Sequence, residues 1–380
     1  MDFAFTDEQE ELRSCARSFL AEHSSSEHVR RAMESELGYD PQLWKQIGGE
    51  LGWTSVIIPE AYGGLGLGYV ELVALLEVMG GALLCSPFFA SICLAGNALL
   101  VAGSDVQKRQ HLPGIAAGET RATLACPEAA CGWNLAAIET TAREAGGEYV
   151  LDGVKTYVLD GYCADLLIVA ARAPGSEGAE GVGLFAVPGD APGVLRRALP
   201  TVDQTRRQAE VSLRGVRVPR SAVLDAGAGA WTALEKTLGL ACIALSAEQV
   251  GGAQKCLDLS VAYAKERVQF GRPIGSFQAI KHKCADMMVE VESARSACYY
   301  AGCVAAEDGD ELDVVASLAK AACSDAYFHS AADSIQIHGG VGFTWEYDVH
   351  LYFKRAKSSE SLLGDPSYHR ERVAQRIGLG

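Results

Sequence analysis

The sequence predicts an α+β multidomain protein: an N-terminal all-α domain over residues 1–122, a small middle β domain of barrel or sandwich type over 123–225, and a C-terminal four-helix bundle domain over 226–380. Three observations carry that prediction. A chain of 380 residues, 49% apolar and 21% charged, can bury a sizeable core and is longer than one core usually organises. Its apolar residues recur at helical spacing, then in short β-branched runs, then at helical spacing again. Proline and glycine clusters punctuate these stretches.

In chain order, Thr6 followed three residues later by Gln9 makes a capping box, and Leu12, Ala16, Phe19 and Leu20 repeat behind it on one helical face. Leu43, Trp44, Ile47 and Leu51 mark a second helical stretch. Residues Pro59 to Leu67, PEAYGGLGL, predict a loop, and helices resume over Val70 to Leu83 and Ala90 to Val101. The run EYVLDGVKTYVLDG predicts a hairpin turning at Asp152-Gly153, because both residues tolerate positive φ. DLLIVAARA, GVGLFAVPG and AEVSLRGVRVP continue the strands, with the Gly-rich segment Pro174 to Gly183 between them. Long helices are expected over Trp231 to Gln269, Phe277 to Glu307 and Leu312 to Ile337, with shorter ones after Tyr347 and Ser367. No internal repeat or low-complexity tract interrupts this order.

Composition excludes several function classes. A formal charge of −15 argues against nucleic acid or an anionic membrane surface as partner, since both attract basic patches. Twelve cysteines are scattered without a CxxC pair or a zinc-type Cys/His spacing, so no metal is expected and the thiols read as reduced and mostly buried. The close pairs Cys126/Cys131 and Cys298/Cys303 read as coincidence. The N-terminus is acidic and polar where a signal peptide would be basic then apolar, and no run approaches the roughly 18 apolar residues of a spanning helix. A cytoplasmic protein without membrane insertion is the expectation.

Two segments stand out as motifs at the joints between helices. Glu266 to Gln278, ERVQFGRPIGSFQ, sets two arginines, two glutamines and two phenylalanines around a Gly/Pro turn; Gln336 to Phe343, QIHGGVGF, sets a glutamine before a Gly-Gly turn. An arginine offers forked donors to a pyrophosphate, a carboxamide can cap an adenine or ribose edge, and bare glycines let backbone NH groups approach an anion. These segments resemble the ERxQFGxPIxxFQ and QxxGGxGF motifs of the acyl-CoA dehydrogenase family, and Pro59 to Leu67 and Val216 to Pro219 extend the resemblance over nearly the whole chain. The resemblance implies that Arg267, Phe270, Gln278, Gln336, Gly339 and Gly340 hold the adenylate half of FAD across a subunit boundary. It implies an acyl-CoA thioester substrate, α,β-desaturation, and a homo- or hetero-oligomer with a shared FAD site, usually a dimer of dimers.

The sequence departs from the family in the other half of the site. Where the family has a TExxxGSD-type segment at the flavin ring, this chain reads Cys126-Pro-Glu-Ala-Ala-Cys-Gly-Trp-Asn134: Pro127 offers no NH, and Trp133 replaces a small hydroxyl residue. The family's KxWITN is matched by Lys155 to Asp160, in which Tyr157 can stack but Leu159 cannot donate a hydrogen bond. The family's catalytic glutamate occupies one of two slots, and these hold Leu363 and Ala241, with Cys242 where an arginine often helps seat CoA. No residue is therefore assigned as base. Asp365 and Glu248 are substitutes to weigh, although Asp365-Pro366 also reads as a helix cap. His338 reads as structural, and Asp203, Thr205 and Arg206 read either as a solvated turn or as a contact to flavin or substrate. Three functions remain open: an FAD-dependent acyl-CoA dehydrogenase or a subunit of one; a catalytically silent partner completing the FAD site of a paralogous chain; and a lyase or desulfinase of the same fold that needs no α-proton base. The acyl group is open too, among fatty, sterol side-chain, branched and aromatic acids, with Ser86, Ala90 and Ser91 hinting at room near an acyl tunnel.

Overall fold

The structure, a computed structural model, describes residues 5–130, 132–226 and 228–379. The helices run α1 (Asp7–His23), α2 (Ser26–Glu34), α3 (Pro41–Lys45), α4 (Tyr69–Gly81), α5 (Asn97–Ala102), α6 (Asp105–Ala116), α7 (Ala228–Glu266), α8 (Gln278–Ala306), α9 (Leu312–His338), α10 (Val349–Ser361) and α11 (Pro366–Arg376). The strands are β1 (Ala122–Ala125), β2 (Thr141–Ala145), β3 (Glu148–Leu159), β4 (Leu166–Arg172), β5 (Val182–Pro188), β6 (Val194–Ala198), β7 (Gln208–Pro219) and β8 (Val223–Ala226). Helical, β and helical segments thus follow one another as predicted. By contact the chain divides into two compact units, one of Met1–Arg31, Tyr69–Leu84 and Cys242–Gly380, the other of Ala32–Gly68 and Cys85–Ala241.

In the helical unit, α8, α9, α10 and α11 pack with α1 and α4. The Thr6 capping box forms as predicted: its side chain accepts from Gln9 N, and the Gln9 side chain accepts from Thr6 N. Helix α4 buries Leu72, Val73, Leu75, Leu76 and Met79, so it is apolar nearly all round, as a central helix must be. Its one buried charge, Glu77, accepts from Arg13 at 3.3 Å, from Arg295 at 3.2 Å and from the Tyr299 hydroxyl, which ties α1, α4 and α8 together. An unpaired carboxylate there would be costly, and the network removes that cost.

In the other unit, one sheet runs β6-β7-β3-β2-β4-β5-β8, with β1 parallel to β4. Strand β4 is buried along its whole length, which its unbroken apolar run LLIVAA explains. Inward side chains of Leu151, Val158, Leu167, Val169, Phe185, Val211, Leu213 and Val216 form the core.

The hairpin expected at Asp152-Gly153 lies elsewhere. Strand β3 runs straight through both residues, and the turn falls at Gly146-Gly147, both at positive φ, between β2 and β3. Asp152-Gly153 instead faces a bulge in β7: Leu151 pairs with Val216 and Gly153 with Leu213, which leaves Arg214 and Gly215 opposite one residue. The Asp152 carboxylate accepts from Gly215 N at 2.7 Å, and the bulge keeps Ala209, Val211 and Leu213 on the same face as Val216 and Val218. Two expected helices differ in kind. The Leu43 stretch is α3 followed by a π-turn at Gln46–Glu50, and the Ala90 stretch opens as a π-helix, Phe89–Gly96, before α5.

Candidate functional site

In the helical unit, α7 ends at Glu266, and Arg267 N donates to the Tyr263 carbonyl at 2.8 Å. Val268–Gln269 and Arg272–Pro273 then pair as a minimal antiparallel ladder whose tip is Phe270-Gly271, both at positive φ. Phe270 is 92% exposed despite being apolar, and its ring meets Phe277 edge-on at 6.1 Å, while the Arg272 guanidinium lies 4.2 Å over Phe277. Helix α8 begins at Gln278. Arg267, Phe270 and Gln278 therefore share one exposed hairpin and helix start.

The other three residues sit together at the end of α9. Gln336 is exposed, and Gly339 ends the helix at φ 63°, ψ −138°, a conformation that side chains rarely adopt. A Cβ at Gly339 or Gly340 would meet nothing within 4 Å, so the backbone faces open space on that side. Among the described residues, the Arg267 guanidinium and the Gln278 and Gln336 carboxamides have no hydrogen-bond or ion-pair partner. The Tyr263 and His338 rings stack at 4.3 Å, so the start of the hairpin and the Gly-Gly turn are neighbours.

In the β-containing unit, Cys126, Pro127 and Glu128 follow β1; Cys131 lies outside the described residues. The sequence reading missed what holds this segment. Lys155, fully buried, donates to Glu128 at 2.6 Å and to the Cys126 carbonyl at 3.2 Å, and Glu128 also accepts from Glu139 N and Thr140 N. Burial pushes the Glu128 pKa up, but Lys155 and the backbone donors outweigh it and hold the carboxyl below its ordinary value. Both residues stand in segments already singled out, but only the meeting of β3 with the loop after β1 pairs them. Tyr157 sits at φ 53° and is 56% exposed, whereas Leu159 is buried. Asp203, Thr205 and Arg206 form no solvated turn: all three are buried, Asp203 accepts from Thr205 N and Oγ1, and the Arg206 guanidinium lies 5.3 Å over Phe89.

The two base slots are apolar and buried. Leu363 is 4% exposed at φ 64°, its carbonyl accepting from His369 Nε2 at 2.9 Å; Ala241 is fully buried on α7. Lys320, also buried, donates to the carbonyls of Glu360 and Gly364 and to Ser324 Oγ, and burial lowers its pKa to about 8. The Asp365 side chain accepts from Tyr368 N at 2.8 Å and caps α11, as its place before Pro366 suggested. Glu248 is half-buried on α7. His338, 6% exposed, donates through Nδ1 to the Ser334 carbonyl at 2.7 Å, a structural bond.

Family models match the chain along its length: the acyl-CoA dehydrogenase N-terminal domain over residues 6–119, the middle domain over 123–216 and the C-terminal domain over 228–378. The chain belongs to the acyl-CoA dehydrogenase family. It is 35% identical to acyl-CoA dehydrogenase IpdE2 of Mycolicibacterium smegmatis over 98% of this chain and 99% of that one. Among solved structures it superposes on the ChsE4-ChsE5 complex from Mycobacterium tuberculosis with a TM-score of 0.90 at 28% identity, each chain fully covered. It superposes on butyryl-CoA dehydrogenase from Megasphaera elsdenii with a TM-score of 0.90 at 26% identity, covering 99% of this chain and 100% of that one. The fold is thus the three-domain acyl-CoA dehydrogenase fold, the cofactor FAD, and the reaction class oxidation at CH–CH groups. No helix among the described residues is long and apolar enough to cross a membrane.

Proposed function

We propose that this chain is one subunit of a cytoplasmic, hetero-oligomeric acyl-CoA dehydrogenase that desaturates an acyl-CoA thioester, and that it holds the adenylate half of FAD while a paralogous chain supplies the α-proton base. Its domains in this reading are 1–122, 123–225 and 226–380. One observation carries the division of labour: both slots for the base are filled by buried apolar residues, Leu363 and Ala241, while the nucleotide-facing groups are free and exposed. Neither substitute base is free for the task, since Asp365 is spent on capping α11 and Glu248 already has an interaction on α7. One solved relative is described as the ChsE4-ChsE5 complex, which agrees with this reading.

The residues present fit FAD. Arg267 presents an unpaired guanidinium for a diphosphate, Gln278 and Gln336 present free carboxamides for the adenosine, and Gly339 and Gly340 leave room for an anion against their backbone. Phe270, 92% exposed at the hairpin tip, is an apolar group that a partner surface would cover. Bound FAD supplies the hydride acceptor for the substrate β-carbon. The Lys155–Glu128 pair fixes the segment after β1, and Tyr157 is an exposed ring on β3 that could stack against a flavin. The α-proton must leave to a group on another chain.

Expression alone and with paralogous acyl-CoA dehydrogenase chains tests this, with flavin absorbance per subunit and acyl-CoA oxidation as readouts. Flavin at about half occupancy and turnover, both only on co-expression, is the expected result. Stoichiometric FAD with turnover from the isolated chain would sink the division of labour. For the cofactor grip itself, Arg267→Ala should weaken FAD retention by about tenfold or more, the scale of a lost charge-assisted bond; unchanged flavin content would remove Arg267 from the site.

A further inference from the structure

The hairpin that carries Arg267 and the turn that carries Gly339 are joined by an aromatic stack. The Tyr263 ring, on the last turn of α7, lies on the His338 imidazole, on the last turn of α9, with centroids 4.3 Å apart and planes 23° apart. Tyr347 meets both rings edge-on, at 6.2 and 5.9 Å. Each stacked residue lies next to a ligand-facing group along the backbone: the Tyr263 main-chain carbonyl accepts from Arg267 N at 2.8 Å, and His338 immediately precedes Gly339. The bond from His338 Nδ1 to the Ser334 carbonyl fixes the ring's orientation on α9.

The ligand-facing parts themselves are exposed. The hairpin ladder is two residues long on each side, Arg267 and Phe270 are exposed, and nothing lies against Gly339 or Gly340. A diphosphate gripped from two sides needs its donors about 3 Å from its oxygens, a spacing that requires the two segments to be fixed relative to each other. We propose that Tyr263 and His338 are positioning residues whose stack sets the distance between the Arg267 guanidinium and the Gly339-Gly340 backbone, so that both close on one dinucleotide pyrophosphate. This rests on the FAD reading given above. Neither ring touches the reacting atoms, so the effect belongs to affinity for the nucleotide half and not to the chemical step.

The test uses the full chain in its flavin-bearing assembly, deflavinated and titrated with FAD and, separately, with ADP, which carries the diphosphate and adenosine without the flavin. Tyr263→Leu removes the ring and should weaken both ligands alike, by about tenfold; Tyr263→Phe keeps the stack and should bind both within about twofold of the parent protein. Melting of the ligand-free forms should leave the Leu and Phe variants together. Should Tyr263→Leu not fold, His338→Asn serves instead, since it keeps a donor for the Ser334 carbonyl while removing the stacked ring. Unchanged FAD and ADP affinities in the variants lacking a ring would overturn the proposal, as would weakened FAD with unchanged ADP. A parent protein that binds neither ligand would overturn the FAD reading and the proposal with it.

Discussion

At the scale of single residues, the Glu128–Lys155 pair shows how a buried charge is offset by its partner. Lys155 is fully enclosed, and its ammonium is neutralised at 2.6 Å by a carboxylate that also accepts from two backbone NH groups. Removing one partner leaves the other charge buried, which typically costs about 3–5 kcal/mol, whereas removing both costs much less. Glu128→Gln should therefore lower the urea midpoint strongly, and Glu128→Leu combined with Lys155→Met should recover part of the loss. Urea unfolding of the single and double variants measures this, and additive losses would mean that the pair does not act as a unit.

At the scale of elements, two helix ends separate capping from chemistry. Asp365 caps α11 through Tyr368 N, so Asp365→Ala should cost about 1 kcal/mol in thermal unfolding and leave acyl-CoA oxidation by the assembled enzyme unchanged. A large loss of turnover without a matching loss of stability would instead make Asp365 the missing base. At the end of α9, Gly340→Ala and Gly339→Ala should behave differently. Gly339 holds φ 63° with ψ −138°, so alanine there adds backbone strain of about 1–3 kcal/mol. Gly340 has no such backbone demand, and its Cβ would enter open space. Gly340→Ala should thus unfold like the parent protein and yet retain less FAD; equal flavin retention would mean that no ligand approaches that backbone. What could be read from sequence followed the range of the signal. Capping boxes, Gly/Pro breakers and long periodic runs act within a few residues, and the helices of the C-terminal segment lie within about three residues of their expected ends. The hairpin was misplaced because Asp-Gly is a local turn signal, and Gly146-Gly147, with both residues at positive φ, met the turn's demand first. The π-turns have no local sequence signature and come from packing.

At the scale of the whole molecule, motif spacing singled out Arg267, Phe270 and Gln278 as one cluster and Gln336, Gly339 and Gly340 as another, because each cluster is contiguous in sequence. The contacts that hold them, Tyr263 with His338 and Lys155 with Glu128, join residues 75 and 27 positions apart and depend on which elements meet. The same logic governs acid stability, since buried titratable groups lie in both compact units. His369 is 3% exposed and donates to the Leu363 carbonyl, and burial, with Lys320 nearby, lowers its pKa from 6.5 to about 4. Between those values the unfolded chain binds the proton and the folded chain does not, so stability falls as pH falls through that window, by about 3 kcal/mol when complete. Glu128 has a depressed pKa in the other unit, so its contribution persists through that window and is lost only below the ordinary carboxylate range. Thermal melts at pH 7, 6 and 5 should therefore show the melting temperature dropping with acid well before carboxylates titrate. His369→Gln, which keeps an NH donor for the Leu363 carbonyl without a titrating ring, should flatten that dependence. Parallel pH profiles for parent and variant would place the acid-sensitive group elsewhere.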